Sequence, residues 1–270
     1  MDVAAVNRLS RALVTLAEDP ERFVEPPEGT RQILTDSYCV VIGPQNRWAG
    51  VCSLRLPTPA TDLQRAFTEI DHLVAGAGHV LWNVGSSATP SALADRLRGL
   101  GLRGLGLRDP DPPMDPGCAA MVLTDEPPGV DGIDVRRVLT LEEHRAGLEI
   151  MLAAATWTDA AAADERARAA QTYERRNRRG GYQWLAWQAG KPVAYALADR
   201  TDAGLFLSGG ATLAEARGRG CYRALVRARW DETARLGLPG LAVQAQHTTS
   251  APILRNLGFD EVATVHTLQS

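Results

Sequence analysis

The chain has 270 residues, of which 45% are hydrophobic and 23% are charged, and its formal net charge at pH 7 is −3. This length suffices for one large domain or for two domains of about 130 residues each. The ordinary apolar content excludes a chain that is disordered throughout. The slightly negative charge argues against nucleic acid as a partner, because affinity for nucleic acid comes largely from Lys and Arg side chains on phosphates.

No run of about 18 apolar residues is present, as a membrane-spanning helix would need. The N-terminal segment carries acidic residues where a signal peptide needs an apolar stretch. We therefore expect a cytoplasmic protein with no membrane partner. The four cysteines are widely spaced, without a C-x-x-C pair or a nearby His cluster. The sequence therefore predicts neither a disulfide framework nor a metal site.

The first half of the chain alternates strand and helix patterns. The predicted elements are strands at 37–43 and 48–56, a helix at 61–76, a strand at 79–85, a helix at about 90–99 and a strand at 119–123. Leu63, Phe67 and Ile70 recur at helical spacing and indicate the buried face of the first helix. A stretch rich in proline, 107–133, surrounds the last strand and predicts a domain boundary there, so that the two domains are 1–125 and 126–270.

The second half has a similar order with more strands. The predicted elements are a strand at 133–139, helices at 141–154 and 160–176, strands at 182–188, 192–199 and 204–213, a helix at 221–236, a strand at 240–246, a short helix ending at 256 and a strand at 259–268. Thr140 is the expected N-cap of the helix at 141–154. This order predicts an α/β fold built on a mixed sheet.

The two halves look like distant copies of one another. In both, a glycine, a strand, a polar turn and a helix follow a long helix, from Gly78 to Gly101 in the first half and from Gly237 to Gly258 in the second. The segments before the long helices differ, because 57–61 reads PTPAT whereas the second half has AEARGRG. Only the second segment has the glycines to hold a phosphate chain.

Gly218 and Gly220 flank Arg219 between an apolar strand and a helix. Glycines in such a turn allow backbone N–H groups to face an anion without obstruction by Cβ atoms. The following helix adds its unpaired first-turn N–H groups and the positive end of its dipole. The sequence therefore predicts a pyrophosphate site at this turn.

The same turn resembles the Q/R-x-x-G-x-G/A motif of the GCN5-related N-acetyltransferase (GNAT) superfamily. The last positions of the motif match, whereas Glu215 departs from the first, and the segment ILRNLGF resembles the family's last helix and the Gly-Phe that opens its final strand. The resemblance implies two tandem GNAT-like domains, each a mixed, mostly antiparallel sheet flanked by helices. Residues 1–125 would form a degenerate copy, and 126–270 the acyl-CoA-binding copy.

The resemblance also implies acetyl-CoA, or another acyl-CoA, as co-substrate. Its pantetheine arm would enter a V-shaped split between the strands at 204–213 and 240–246, and its pyrophosphate would lie on the glycine turn. Ser250 would either touch the cofactor or cap the last helix. The residues expected to bind the cofactor are Thr212, Leu213, Arg217, Gly218, Arg219, Gly220, Cys221, Tyr222 and Ser250.

Two positions depart from the family pattern that the resemblance brings. Leu254 stands where many members have a tyrosine general acid, and Gly204 stands where some have a glutamate base. Acyl transfer would then rest on positioning, on a water chain and on a backbone N–H near 210–211 for the carbonyl oxygen. His247, at the mouth of the expected cleft, is a weak candidate for proton transfer, and an ordinary loop histidine is the alternative.

Trp157 and Asp159 lie in a loop that lines the acceptor pocket in GNAT folds, and an aromatic ring with a carboxylate suits a cationic amine. The alternative is a turn with a half-buried Trp. The expected function is N-acetyl transfer to a small-molecule amine by direct attack in a ternary complex. A non-catalytic acyl-CoA-binding or protein-interaction module and an aminoacyl-tRNA-dependent transferase are the alternatives. A homodimer is left open.

Overall fold

A computed structural model describes residues 10–26, 29–99, 117–155 and 157–269. The helices are α1 (Arg11–Glu18), α2 (Ala60–Val74), α3 (Leu93–Gly99), α4 (Leu141–Ala154), α5 (Asp159–Arg178), α6 (Cys221–Leu236) and α7 (Ser250–Arg255). The strands are β1 (Arg31–Leu34), β2 (Cys39–Ile42), β3 (Ala49–Cys52), β4 (Val80–Gly85), β5 (Cys118–Leu123), β6 (Asp134–Arg137), β7 (Gly181–Gln188), β8 (Lys191–Thr201), β9 (Gly204–Thr212), β10 (Leu241–Gln246) and β11 (Asp260–Gln269). Short 3₁₀ turns lie at 20–22, 44–46 and 214–216.

The described residues form two compact units. The N-terminal unit comprises 14–122 together with the tail 244–269, and the C-terminal unit comprises 10–13 together with 123–243. The spatial division changes near the proline-rich stretch, and the tail with α7 and β11 groups with the first half of the chain. The division into consecutive copies, 1–125 and 126–270, stays a prediction.

In the N-terminal unit the strands lie in the order β1-β2-β3-β4-β11-β5. Only β3 and β4 pair in parallel, and α2 connects them. Apolar side chains of the sheet and of α2 and α3 form one buried cluster, in which the rings of Phe67 and Trp82 lie 5.8 Å apart. The helical spacing of Leu63, Phe67 and Ile70 is thereby confirmed as the buried face of α2.

In the C-terminal unit the order is β6-β7-β8-β9-β10, and only β9 and β10 pair in parallel, with α6 between them. A cluster containing Val138, Ile150, Leu185 and Tyr195 holds α4 against one face of this sheet. On the other face, the ring of Tyr222 from α6 lies over the backbone of β9. The predicted fold class, a mixed and mostly antiparallel sheet flanked by helices in each half, is confirmed.

Helix α4 begins with the capping box that its sequence predicts. The Thr140 side chain accepts a hydrogen bond from the Glu143 N–H at 3.2 Å, and the Glu143 carboxylate accepts one from the Thr140 N–H at 3.1 Å. None of the helices in the described part of the chain has the length and apolar composition that crossing a membrane requires.

Gly147 lets α4 approach the sheet closely. A Cβ at this position would lie 2.4 Å from the ring of Tyr195, a distance that real Cβ atoms do not show. Glycine in a helix costs about 1 kcal/mol relative to alanine. The close approach to Tyr195 therefore explains why a glycine is present in the middle of this helix.

We predict that Gly147→Ala destabilises the protein by about 1–3 kcal/mol, because overpacking outweighs the gain in helix propensity. Urea unfolding followed by circular dichroism measures the change. Gly129→Ala is the matched control, because a Cβ there meets nothing within 4 Å. Equal stability of the two variants would contradict the packing that we describe at Tyr195.

Candidate functional site

Strand β9 leaves its parallel neighbour after two residue pairs. Leu205 is opposite Leu241 and Phe206 is opposite Ala242, and these are the pairs that join β9 to β10 in the described part of the chain. In contrast, β8 pairs with β9 from Gly204 to Thr212. The edge of β9 beyond Phe206 is thus released on one side and held on the other, as the expected split requires.

A β-bulge accompanies this release. Leu197 of β8 is opposite Gly209, whereas Asp199 is opposite Phe206. Between these two pairs β9 therefore contains one residue more than β8. An extra residue bends the bulged strand and increases its local twist. The bulge lies directly after Phe206, where the parallel pairing ends, and it is the structural reason for the change in direction of β9.

The alternation of an antiparallel ladder decides which backbone groups of β9 face the released edge. The Leu213 N–H donates to the Val193 carbonyl at 3.0 Å, so the Leu213 N–H faces β8. Alternate residues point their N–H and C=O groups to opposite sides, so those of Gly210 and Thr212 point away from β8. Of the two residues predicted to pair with pantetheine, Thr212 faces the edge, and the N–H of Leu213 is already used by β8.

The turn after β9 requires its glycines. Gly218 has a φ of +74° and Gly220 a φ of +88°, both in the left-handed region that side chains disfavour. A Cβ at Gly218 would meet nothing within 4 Å, so there is open space beside this backbone. A Cβ at Gly220 would lie 3.1 Å from Val130. The predicted glycine turn is therefore present and sterically open.

Helix α6 starts directly at this turn. Its N-cap is Gly220, which provides no side-chain hydrogen bond, and the Ala224 N–H donates to the Gly220 carbonyl at 2.9 Å. The first-turn N–H groups of 221–223 precede this bond and receive no side-chain cap, so they are available to a ligand. Together with the positive end of the helix dipole, they suit an anion.

Three exposed arginines surround the turn. Arg217, Arg219 and Arg223 all have exposed side chains, and Arg217 Nε donates to the Thr212 carbonyl at 3.2 Å. Guanidinium groups bind phosphate oxygens through charge-assisted hydrogen bonds. Backbone N–H groups, open space at Gly218 and positive charge together fit the pyrophosphate of a CoA thioester.

The two residues that open α6 contribute differently from each other. The Cys221 thiol is buried, and burial raises its pKa, so that a reactive thiolate is not favoured and only its backbone lies at the turn. The ring of Tyr222 lies against β9, where a Cβ on Gly210 would be 3.3 Å from it. Gly210 therefore makes room for Tyr222 next to the released edge.

The tail of the N-terminal unit holds the predicted residues His247 and Ser250. His247 Nδ1 lies 2.7 Å from the Gly117 carbonyl and Nε2 lies 3.1 Å from Glu261, so both ring nitrogens are engaged. These bonds favour a structural role for His247. Helix α7 starts at Ser250, and Thr249 occupies its N-cap position. Capping by Ser250, which the sequence suggested, is therefore not what the structure shows.

The two positions that depart from the family pattern are both buried in the structure. Leu254 is fully buried and Gly204 is buried as well, and neither residue has a side chain that could transfer a proton. Trp157 is 42% exposed, and Asp159 opens α5 with an exposed side chain. In the described part of the chain, no group of three His, Cys, Asp or Glu side chains could hold a metal ion.

Solved structures with the same architecture exist. A GCN5-related N-acetyltransferase from Kribbella flavida matches with a TM-score of 0.64 and 16% identity, over 96% of this chain and 95% of that one. A tandem GNAT protein from the clavulanic acid biosynthesis pathway matches with a TM-score of 0.66 and 16% identity, over 100% and 92%. A GCN5-related N-acetyltransferase from Sphaerobacter thermophilus matches with a TM-score of 0.58 and 19% identity, over 88% and 81%.

The chain has the tandem GNAT fold. No protein-family model matches the sequence, and no curated protein matches it. The resemblance that rested on the glycine turn and on ILRNLGF is thereby confirmed at the level of the fold, over nearly the whole chain.

Sequence reasoning missed two arginines beside the bulge. Arg229 lies on the buried face of α6, in helical register with Leu225 and Thr233, and an arginine at an apolar-face position was the signal available. Arg176 lies among other arginines in the last turn of α5, where exposed side chains are usual, yet its side chain pairs with Asp199 and is only 13% exposed. Both therefore have partners in the fold.

We predict that His247 stabilises the protein more at low pH than at high pH. The bond to Gly117 raises the pKa of His247, with a further contribution from Glu261, whose pKa the bonds from Arg255 and His247 lower. A raised histidine pKa stabilises the fold fully below the unfolded value of about 6.5, and the effect is lost as the pH rises through the folded pKa.

The urea midpoints of the wild type and His247→Gln should therefore differ more at pH 5.5 than at pH 8.5. A difference that is equal at both pH values would contradict the ion pair with Glu261.

Proposed function

We propose that the C-terminal unit binds acetyl-CoA and transfers the acetyl group to an amine of a small molecule. The observation that carries the proposal is the glycine turn with the uncapped start of α6, 217–223, which comes shortly after the released edge of β9. A thioester with a pyrophosphate at one end and an amide-bearing arm needs both features in this order. The acetyltransferase names of the structural neighbours support the same reaction class.

Each part of this site has a distinct task. The first-turn N–H groups of α6 would bind the pyrophosphate oxygens, and Arg219 and Arg223 would neutralise their charge. The edge groups of Gly210 and Thr212 would pair with the amides of the pantetheine arm as an additional strand does. Arg217 would give up its bond to the Thr212 carbonyl when that carbonyl accepts an N–H from the arm.

The backbone would also assist the chemical step. The amine nitrogen attacks the thioester carbonyl carbon, a C–N bond forms, and the C–S bond breaks with departure of the thiolate. An N–H on the released edge, for which Gly210 is the candidate, would donate to the carbonyl oxygen as negative charge develops on it. The amine proton would pass to water, because Leu254 and Gly204 offer no acid or base at the family positions.

Trp157 and Asp159 are the proposed acceptor contacts. Both are exposed at the start of α5, where Thr158 caps the helix by accepting a hydrogen bond from the Ala161 N–H at 3.2 Å. This cap fixes the backbone that carries them. An exposed ring beside a carboxylate suits a protonated amine, which binds through cation–π and charge interactions.

A non-catalytic acyl-CoA-binding module is the second candidate. The buried Leu254 and the side-chain-free Gly204 favour it, because both remove groups that speed proton transfer in related folds. Binding of acetyl-CoA is common to both candidates. Turnover with an amine separates them.

Acetyl-CoA binding should depend on the exposed arginines at the turn. Calorimetry on the wild type should show saturable binding with one site per chain. The double variant Arg219→Gln/Arg223→Gln should bind at least about tenfold more weakly, because a hydrogen bond to a charged group contributes about 1.5–3 kcal/mol. Arg145→Gln, an exposed change on α4, is the control and should retain wild-type affinity. Equal affinities in all three proteins would show that acetyl-CoA does not bind at this turn.

Release of free CoA thiol should accompany acetylation when acetyl-CoA is incubated with a panel of small amines. Trp157→Ala and Asp159→Asn should raise the KM for the amine while the affinity for acetyl-CoA stays unchanged. A chain that binds acetyl-CoA stoichiometrically and releases no thiol with any amine would favour the non-catalytic module. A chain that does not bind acetyl-CoA at all would overturn both candidates.

A further inference from the structure

Arg229 is a buried arginine at the β-bulge. It is 1% exposed. Its Nε donates to the Leu225 carbonyl at 3.0 Å, and its Nη1 lies 3.5 Å from the carbonyls of Leu197 and Gly209. Leu197 and Gly209 are the last regular pair before the bulge, as seen from Thr212. The guanidinium group therefore lies between α6 and the point where β9 changes register.

This arrangement is energetically expensive. Burial lowers the pKa of the Arg229 guanidinium, which nevertheless stays protonated, as arginine does in proteins. Within the described part of the chain, its partners are carbonyl oxygens and the ring of Tyr222 at 5.9 Å, with no carboxylate among them, and Nη2 has no hydrogen-bond partner there. A buried charge without an acidic partner destabilises a fold unless polar groups compensate for it.

A second arginine reaches the same bulge from α5. Arg176 Nη2 lies 3.2 Å from the Ala198 carbonyl, 3.0 Å from Asp199 Oδ1 and 3.5 Å from Ser208 Oγ. Ala198 and Ser208 lie inside the register shift. Helix α5 belongs to the face of the sheet that carries α4, whereas Arg229 comes from α6 on the other face. The bulge is thus held by cations from both sides.

We propose that Arg229 and Arg176 are positioning residues that hold β9 in its bulged register, so that the N–H groups of Gly210 and Thr212 face the acyl-CoA arm. This inference rests on the proposed function and goes beyond it, because neither arginine touches the cofactor. The Ala198 carbonyl lies inside the register shift and needs a donor, which Arg176 supplies. On the other face, Arg229 places a donor beside the carbonyls of Leu197 and Gly209, the pair that ends the regular ladder.

Arg229 and Arg176, which we call the arginine brace, matter for the released edge because backbone N–H groups alternate between the two edges of a strand. A shift of one residue moves every backbone N–H to the opposite edge. If β9 relaxed into an unbulged register with β8, Gly210 and Thr212 would turn toward β8 and the released edge would present the wrong groups. The turn at Gly218 and Gly220 follows β9 and would keep its own glycines and helix N-terminus.

The test distinguishes binding of the pantetheine arm from binding of the nucleotide part of acetyl-CoA. Arg229→Met keeps much of the side-chain volume without the charge, and Arg176→Met does the same on the other face. Arg227→Met is the matched control on α6, because Arg227 forms an ion pair with Asp231 at 2.8 Å and lies away from the bulge. Calorimetry compares acetyl-CoA with 3′-phosphoadenosine diphosphate, which lacks the pantetheine arm.

In both bulge variants we expect at least tenfold weaker binding of acetyl-CoA and unchanged binding of the nucleotide. The Arg227→Met control should bind both ligands as the wild type does. Arg229→Lys, which keeps the charge, should recover part of the loss and carries the test if Arg229→Met does not fold. Wild-type affinity for acetyl-CoA in folded Arg229→Met and Arg176→Met would overturn the inference, and so would equal losses for both ligands.

Amide hydrogen exchange without ligand tests whether Arg229 stabilises the bulged register of β9, independently of the proposed function. Exchange of the ladder amides of Leu197 and Gly209 should rise at least tenfold in Arg229→Met relative to Arg227→Met. If the wild type binds neither ligand, the proposed function fails, and this exchange measurement alone tests whether Arg229 holds the register of β9. Unchanged exchange would then contradict that role of Arg229.

Discussion

The site depends on one constraint on β9. This strand must stay hydrogen-bonded to β8 while it loses its parallel neighbour after Phe206. The bulge opposite 197–199 meets both demands, since an extra residue turns the strand without breaking its attachment to β8. The released edge, the glycine turn and the N-terminus of α6 follow one another along the chain. Their relative placement is therefore set by the direction in which β9 diverges from β10.

The N-terminal unit contains the same strand–helix–strand crossover, with β3, α2 and β4 in place of β9, α6 and β10, but without the glycine turn. Its β3 and β4 pair in parallel over Ala49–Val80, Gly50–Leu81 and Val51–Trp82, and α2 follows with Pro59 at its N-cap. Proline has no backbone N–H, and 57–61 contains no glycine that would open the turn. The crossover has the same form in both units, but the open glycine turn that we propose as the anion site belongs to the C-terminal unit. The N-terminal copy is therefore proposed to be structural.

Much of the fold could be predicted because its signals are local. The apolar spacing of α2, the capping box at Thr140 and the glycine turn at 218–220 each depend on a few neighbouring residues, and each is confirmed. The elements α1 and β1 were missed, because α1 has only eight residues and β1 has four, none of which is buried. The grouping of the tail with the first half could not be predicted either, since β11 pairs with β4 and β5, from which it is separated by more than about 130 residues of chain.

The candidate site was predictable only in part, for the same physical reason. The turn is a local motif, but the division of labour between Thr212 and Leu213 depends on the register of β9 with β8. That register depends in turn on the bulge and on Arg176 and Arg229, whose partners are carbonyls on other elements. Backbone carbonyls carry no sequence signal. The partners of both arginines could therefore not be predicted, although the position of Arg229 on the apolar face of α6 was a signal that it is buried.

Amide chemical shifts on isotope-labelled protein during titration with acetyl-CoA test the central claim most directly. The account predicts large shifts at Gly210 and Thr212 on the released edge and at 218–223 in the turn, with small shifts at the amides of 58, 60 and 61 in the N-terminal unit. Shifts confined to the N-terminal unit, or spread weakly over the surface, would contradict the claim that β9 and the turn after it form the acyl-CoA site.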